Sequence, residues 1–115
     1  MMKIYHNSKC SKSRCSYELL KESGVAFETV EYLKNPLTKV ELIELLIKLN
    51  ISGENLIRKG ETDYIKNFKG KKLSELEWID AMVKYPKLIE RPIIVKGDKA
   101  VIGRPIEKVI QLISE

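Results

Sequence analysis

The first part of the chain alternates between strand-like and helix-like segments, and this order restricts the fold more than any other feature. Lys3–Tyr5 is predicted to form a strand, about Ser13–Ser23 a helix that ends at Gly24, and Phe27–Tyr32 a second strand. Two strands joined by a helix run parallel, because a parallel pair needs a long crossover connection. The chain therefore opens as a β-α-β unit, with ligands expected at the carboxyl end of the first strand.

The middle of the chain is predicted to be helical. Thr38 and Glu41 have the spacing of a capping box and precede a helix over about residues 39–50, whose apolar stripe is Leu42, Leu45, Leu46 and Leu49. Ser74 and Glu77 repeat this spacing before a helix that ends near Tyr85-Pro86, with the stripe Leu76, Ile79 and Val83. Residues 53–70 are predicted to form short helical pieces and polar turns.

The last part returns to strands. Ile93–Lys96 and Ala100–Ile102 flank Gly97-Asp98-Lys99 and are predicted to form a β-hairpin. Pro105 suits the first turn of a final helix, with the apolar seam Ile106, Val109, Ile110 and Ile113. The order is therefore β-α-β, a helical insertion, then β-β-α. This is the thioredoxin topology, an α/β fold with a four-stranded mixed sheet.

Length and composition narrow the class of protein. The 115 residues, 43% of them apolar, fit a single domain over residues 1–115. The start has no apolar leader, and no segment approaches the roughly 18 apolar residues of a membrane span, so we expect a cytoplasmic protein that does not engage a membrane. The net charge of +5 favours small anions or acidic proteins. The lysines are scattered and aromatics make up 7%, so nucleic acid is not an expected partner.

Cys10 is the leading candidate for chemistry. It lies in the polar run His6–Arg14, between the first strand and the first helix. Free backbone N–H groups and the positive end of the dipole stabilise an anion at a helix start. Lys9, Lys12 and Arg14 add positive charge in the same turn. The thiolate should be accessible, and the same turn could bind a phosphate-like oxyanion.

Other residues near Cys10 allow two interpretations each. Cys15 follows five residues later, which on a helix places the two thiols on different faces. It is interpreted as a small buried residue, with a resolving thiol as the alternative. His6 could tune the thiolate or could be a strand-end histidine held by backbone groups. One histidine and two close cysteines cannot form a four-ligand zinc site, so no metal is expected.

The arginines stand out because only four occur: Arg14, Arg58, Arg91 and Arg104. Arg91 and Arg104 each precede a proline. The planar fork of an arginine matches a tetrahedral oxyanion in a way that lysine cannot reproduce. For any one of them alone, a solvated surface charge is the safer interpretation.

These segments together resemble a known family. The run His6–Arg14, Leu56-Ile57-Arg58-Lys59, Ile89–Val95 and Gly103-Arg104-Pro105 resemble, in register over nearly the whole chain, the motifs of the glutaredoxin-coupled arsenate reductases. In that family the fold is thioredoxin-like with a helical insertion. The resemblance implies that Cys10 attacks arsenate or a similar oxyanion and that Arg58, Arg91 and Arg104 surround it. It also implies that His6 influences the thiol and that Arg91-Pro92 is a cis peptide bond facing Cys10.

The resemblance also implies the electron donors. Glutathione would be a cosubstrate and glutaredoxin a protein partner, with no tightly bound cofactor. Two alternatives remain open. The related Spx regulators share the fold, bind RNA polymerase and often carry a Cys-x-x-Cys motif, whose second position is Ser13 in this sequence. A thiol-disulfide oxidoreductase of the same fold is the other alternative.

Overall fold

The fold is that of a computed structural model, which describes residues 2–115. The chain divides into two compact units. One comprises the residues up to Asn35 together with Arg91–Glu115, and the other comprises Pro36–Glu90. The single domain expected for residues 1–115 stays a prediction.

The first unit is built on a four-stranded mixed sheet with the order β2-β1-β3-β4. Its strands are β1 (Met2–Tyr5), β2 (Phe27–Val30), β3 (Ile93–Lys96) and β4 (Lys99–Ile102). β1 runs parallel to β2 and antiparallel to β3, and β3 pairs with β4 as a hairpin. This arrangement confirms the α/β, thioredoxin-like sheet that the order of elements predicts.

Two helices accompany the sheet, α1 (Ser11–Ser23) and, near the end of the chain, a helix at Glu107–Ser114. Gly24 ends α1 with φ 77°, a left-handed conformation that suits glycine. The core of this unit is formed by six buried apolar side chains, namely Met2, Ile4, Leu20, Ile94, Val109 and Leu112. The sheet and both helices contribute to it, so the turn after β1 starts from a rigid base.

The second unit is helical, as predicted, and contains α2 (Lys39–Leu49), α3 (Thr62–Asn67) and α4 (Glu75–Lys84). The helix at Glu107–Ser114 is therefore α5. Short 3₁₀ turns lie at Glu54–Leu56 and Pro86–Leu88. Both predicted capping boxes are present, at Thr38 with Glu41 and at Ser74 with Glu77.

Four details of the sequence prediction are wrong. Pro105 lies before α5, which begins at Glu107, rather than in its first turn. β2 ends at Val30 rather than Tyr32, although Tyr32 is buried beyond it. In α4, Leu76 and Val83 are exposed, whereas Trp78, Ile79, Ala81 and Met82 are buried. In α5, Ile110 is exposed and Leu112 takes its place beside Val109. An apolar spacing of three or four residues suits two adjoining faces of a helix, and packing selects one of them.

Across residues 2–115, every helix falls short of the length and apolar character that crossing a bilayer requires.

Candidate active site

Cys10 lies at the start of α1, as the sequence predicts, and is its N-cap residue, because the helix begins at Ser11 rather than at about Ser13. Its backbone is extended, with φ −98° and ψ 123°, and its carbonyl accepts the first helical hydrogen bond from the Arg14 N–H at 3.0 Å. The turn before it is closed by Asn7, whose carbonyl accepts from the Cys10 N–H at 3.0 Å. The Asn7 side-chain oxygen accepts from the Lys9 N–H, also at 3.0 Å. These hydrogen bonds therefore fix the thiol in the turn that connects β1 to α1.

The surroundings of Cys10 favour its thiolate. Partial burial raises the pKa, but the backbone N–H of Ser13, a hydrogen bond from the Arg91 side chain and the backbone N–H of Lys12 outweigh it. The positive charge of Arg91 acts in the same direction, and together these groups lower the pKa of Cys10 to about 7. The first turn of α1 holds no acidic residue to oppose them.

Arg104 links Cys10 to the segment that carries Arg91. Its Nη2 donates to Cys10 Sγ at 3.4 Å, and its Nε donates to the Arg91 carbonyl at 2.7 Å. The Arg91-Pro92 peptide bond is cis, as the resemblance implies, and Arg104-Pro105 is a second cis bond that the sequence analysis does not predict. Cys10, Arg91 and Arg104 thus meet at one place, although the thiol lies 94 residues before Arg104.

His6 is buried beside the turn and makes its contacts through side chains. Its Nδ1 lies 2.6 Å from Ser13 Oγ, which also accepts from the Asn7 N–H at 3.0 Å. The ring stacks on Tyr17 with a centroid distance of 5.1 Å. Burial lowers the pKa of His6 below its usual value; Glu31 opposes this and Arg14 adds to it. Of the two interpretations of His6, a ring held by backbone groups does not describe Nδ1, whose partner is the Ser13 hydroxyl. The influence of His6 on the thiol stays a prediction.

Cys15 is exposed, so its interpretation as a buried residue is wrong. α1 buries Ser13, Ser16 and Leu20, a face that Cys15 does not share. Both cysteines are free thiols, and a resolving role for Cys15 stays a prediction. Arg14 is also exposed and donates from Nη1 to the Ser8 carbonyl at 3.0 Å. Its charge acts on His6, and its influence on the thiolate stays a prediction.

Arg58 belongs to the helical Pro36–Glu90 unit. Its backbone N–H donates to the Leu88 carbonyl at 2.7 Å, next to an isolated bridge between Ile57 and Ile89. Its Nη1 is shielded from solvent, and no hydrogen-bond partner for it occurs among residues 2–115. The predicted role of Arg58 in oxyanion binding stays a prediction.

Two residues of the site are missed by the sequence analysis. Ser13 is buried, bonds to His6 and offers its backbone N–H to the thiolate. The signal for it was present, since Ser13 is the third residue of α1 and the N–H groups of that turn point toward the cap. Gly103 lies between β4 and Arg104 and is buried. It belongs to the motif Gly103-Arg104-Pro105, but the sequence does not indicate that packing leaves no room for a side chain there.

Comparison with known proteins places this chain in a family. The ArsC family model matches residues 5–112, which include every residue of the site described above. The chain belongs to the ArsC family. Because the match runs through both units, the family resemblance read from the motifs is confirmed.

Individual members of the ArsC family are similar over nearly their whole length. The uncharacterized protein YfgD of Escherichia coli K12 is 47% identical over 114 residues, covering 97% of this chain and 96% of that protein. An arsenate reductase of Neisseria meningitidis is 36% identical over 110 residues, covering 94% of each. The solved structure of an arsenate reductase from Vibrio cholerae has a TM-score of 0.90 and 38% identity, covering 96% of this chain and 95% of that one.

The ArsC-family site described here combines two chemical abilities. A thiol with a pKa of about 7 is about half ionised at neutral pH, so a substantial fraction is present as the nucleophilic thiolate. Guanidinium groups next to it can bind the oxygens of an anion that the thiol attacks. Among residues 2–115, no three His, Cys, Asp or Glu side chains are grouped in a way that could hold a metal ion.

Proposed function

We propose that this protein reduces arsenate to arsenite, with Cys10 as the nucleophile. The observation that carries the proposal is the meeting of the Cys10 thiol, at the open start of α1, with the guanidinium groups of Arg91 and Arg104. Relatives named arsenate reductase, at 34–37% identity over at least 94% of this chain, support it. A thiol oxidoreductase acting on disulfides needs no such pair of forked cations.

Arsenate binding would use both the helix start and the arginines. The anion is tetrahedral, so the Lys12 and Ser13 N–H groups and an arginine fork can reach different oxygens of it. Arg104 Nη2 carries two N–H groups, so it can donate to an arsenate oxygen while Nε stays on the Arg91 carbonyl. Arg58 is proposed as a further oxyanion ligand on the strength of the resemblance.

The chemical sequence balances with two added thiols. The Cys10 thiolate attacks arsenic(V), an S–As bond forms and one oxygen leaves as water after protonation. Glutathione then attacks the arsenic of the adduct, a second As–S bond forms and a second oxygen leaves as water. The glutaredoxin thiol takes the glutathione sulfur as a mixed disulfide, and the electron pair of the broken As–S bond reduces arsenic(V) to arsenic(III). Water releases arsenite and returns Cys10 as a thiol.

External thiols suit this chain because Cys10 has no second cysteine in the helical turn that follows it. Ser13 occupies the position where a Cys-x-x-Cys motif would place the second thiol. Cys15 lies on the exposed side of α1, away from the buried face. We therefore propose glutathione as cosubstrate and glutaredoxin as partner rather than an internal disulfide.

A coupled assay tests the proposal. Arsenate-dependent NADPH oxidation is followed with glutathione, glutaredoxin and glutathione reductase, and separately with thioredoxin and thioredoxin reductase. We expect turnover with the first system and none above background with the second. Cys10→Ser is the control for the nucleophile and should fall to the rate measured without protein.

The same assay can contradict the proposal in two distinguishable ways. Turnover with thioredoxin alone would show that thioredoxin, rather than glutathione and glutaredoxin, is the electron donor, and arsenate reduction would remain the proposed reaction. Absence of arsenate-dependent oxidation with both donor systems, in protein whose Cys10 is shown to be reduced, would remove the reaction itself. Activity on a glutathione mixed disulfide in that case would favour a thiol-disulfide oxidoreductase.

A further inference from the structure

Gly103 occupies a position that has no room for a side chain. A Cβ atom there would fall 2.8 Å from Ser16 Oγ, 2.9 Å from Pro92 Cγ and 3.1 Å from Ile94 Cδ1. The first two distances are shorter than side-chain contacts tolerate, so the surroundings would have to move. Gly60 provides the contrast, because a Cβ added there would meet nothing within 4 Å.

Backbone conformation does not explain glycine at this position. Gly24, Gly70 and Gly97 have positive φ angles, whereas Gly103 does not. The requirement is close approach: the end of β4 lies against α1 at Ser16 and against the cis-proline segment at Pro92. The Gly103 N–H donates to the Pro92 carbonyl at 2.8 Å and fixes this approach.

The next residue carries the guanidinium of the site. Arg104 Nε donates to the Arg91 carbonyl at 2.7 Å, and Nη2 donates to Cys10 Sγ at 3.4 Å. Gly103 and Arg104 therefore bind the carbonyls of two consecutive residues, Pro92 and Arg91. A displacement at Gly103 is passed on to Arg104 through the backbone, and a contact of 3.4 Å to sulfur is weakened by small movements.

We propose that Gly103 is a positioning residue of this site: by packing without a side chain against Ser16 and Pro92, it holds the Arg104 guanidinium on the Cys10 sulfur. Gly103 acts through Arg104 and does not itself contact the thiol. Its importance for turnover rests on the proposed function, whereas its effect on the thiol does not. The two can therefore be tested separately.

The test measures alkylation of Cys10 by iodoacetamide in the Cys15→Ser background, so that one thiol reports. At about pH 6 the rate follows the thiolate fraction, so we expect Gly103→Ala to slow alkylation by about three- to tenfold. Arg104→Ala should slow it at least as much. The double variant Gly103→Ala/Arg104→Ala should be alkylated no more slowly than Arg104→Ala, because both substitutions remove the same contact between Arg104 and the sulfur. Gly60→Ala, the same change in open space, should keep the parent rate.

A rescue variant separates positioning from folding. Ser16→Ala removes the hydroxyl that would lie 2.8 Å from the new Cβ but leaves Pro92 in place. Gly103→Ala/Ser16→Ala should therefore give a rate between the parent and Arg104→Ala, whether or not Gly103→Ala alone folds. A parent rate in folded Gly103→Ala, a parent rate in the rescue variant, or additive losses with Arg104→Ala would each overturn the inference. Arsenate turnover of these variants is measured afterwards, and its absence in the parent would count against the proposed function alone.

Discussion

Helix α1 begins in a different way from helices α2 and α4. α2 and α4 begin with complete capping boxes. In each, the hydroxyl of Thr38 or Ser74 accepts from the backbone N–H of the glutamate three residues on. The side chain of that glutamate accepts in turn from the backbone N–H of the capping residue. The four hydrogen bonds measure 2.9–3.2 Å. The N-cap residue of α1, Cys10, makes no side-chain capping hydrogen bond, and the first turn of this helix contains no acidic residue.

The difference shows how one chain builds two kinds of helix start. In a capping box, fixed oxygens satisfy the free N–H groups and a carboxylate complements the dipole, which stabilises the helix by about 1 kcal/mol. In α1 the N–H groups of Lys12 and Ser13 are left to act on the sulfur. The start of α1 therefore lacks the stabilisation that a capping box gives, but its free N–H groups stabilise the thiolate and can bind an anion.

The largest effect should come from replacing the forked cations beside α1. If the open helix start bound the oxyanion by itself, lysine would replace Arg91 or Arg104 without loss. We expect Arg91→Lys and Arg104→Lys each to lower kcat/KM for arsenate by about 10- to 100-fold, because lysine retains the charge but not the bidentate geometry. Steady-state kinetics measure this effect.

Arg14→Lys is the comparison for these variants. Arg14 is exposed and donates to the Ser8 carbonyl, so its replacement keeps the charge and loses one surface hydrogen bond. We expect a loss of less than about threefold. Equal losses at Arg14 and at Arg91 would mean that charge near the helix start, rather than a fork beside the sulfur, determines arsenate binding.

An intermediate effect should follow when α1 is given the acidic first turn of the other helices. Lys12→Glu complements the dipole and should stabilise the protein by up to about 1 kcal/mol. The same charge opposes the thiolate and should raise the pKa of Cys10, so alkylation at about pH 6 should slow several-fold. Lys21→Glu, at the other end of α1, is the matched charge reversal and should leave the alkylation rate unchanged.

The pH dependence of the free energy of unfolding tests, without a substrate, whether the open start of α1 stabilises the Cys10 thiolate. The pKa of Cys10 is about 7 in the fold and about 8.5 in an unfolded chain. The thiolate therefore contributes stability that is fully present above about pH 8.5 and is lost as the pH falls through 7. The excess stability of the parent over Cys10→Ser should rise across that interval, and a flat difference would contradict the lowered pKa.

Sequence reasoning succeeds here where the information is local. The β-α-β opening, both capping boxes and Cys10 at the start of α1 each follow from residues close together in the chain. The family motifs indicate Arg91 and Arg104, but their mutual bond depends on a chain reversal through the β3-β4 hairpin. Gly103 and the buried face of α1 depend on packing between distant segments, which is why Cys15 is misjudged.

A smaller effect, on stability alone, should follow from opening the other helices. Thr38→Ala or Ser74→Ala removes a cap and should cost about 1 kcal/mol, which is a decrease of several degrees in Tm for a chain of this size. Neither change should alter the alkylation rate of Cys10. Chemical denaturation and alkylation on the same samples show whether the two kinds of helix start are independent.

The smallest effect is expected from the second thiol of α1. The influence of a helix N-terminus falls off within the first turn, and Cys15 lies beyond it on the exposed side. Cys15→Ser should therefore keep full arsenate turnover with glutathione and glutaredoxin, and alkylation of the parent at neutral pH should modify Cys10 first.

Loss of turnover in Cys15→Ser, together with a Cys10–Cys15 disulfide found by mass spectrometry after arsenate treatment, would instead make Cys15 a resolving thiol. Such a disulfide requires α1 to unwind, because a spacing of five residues places the two sulfurs on different faces. The open start of α1 would then permit unwinding as well as anion binding, and closing it with Lys12→Glu should slow disulfide formation.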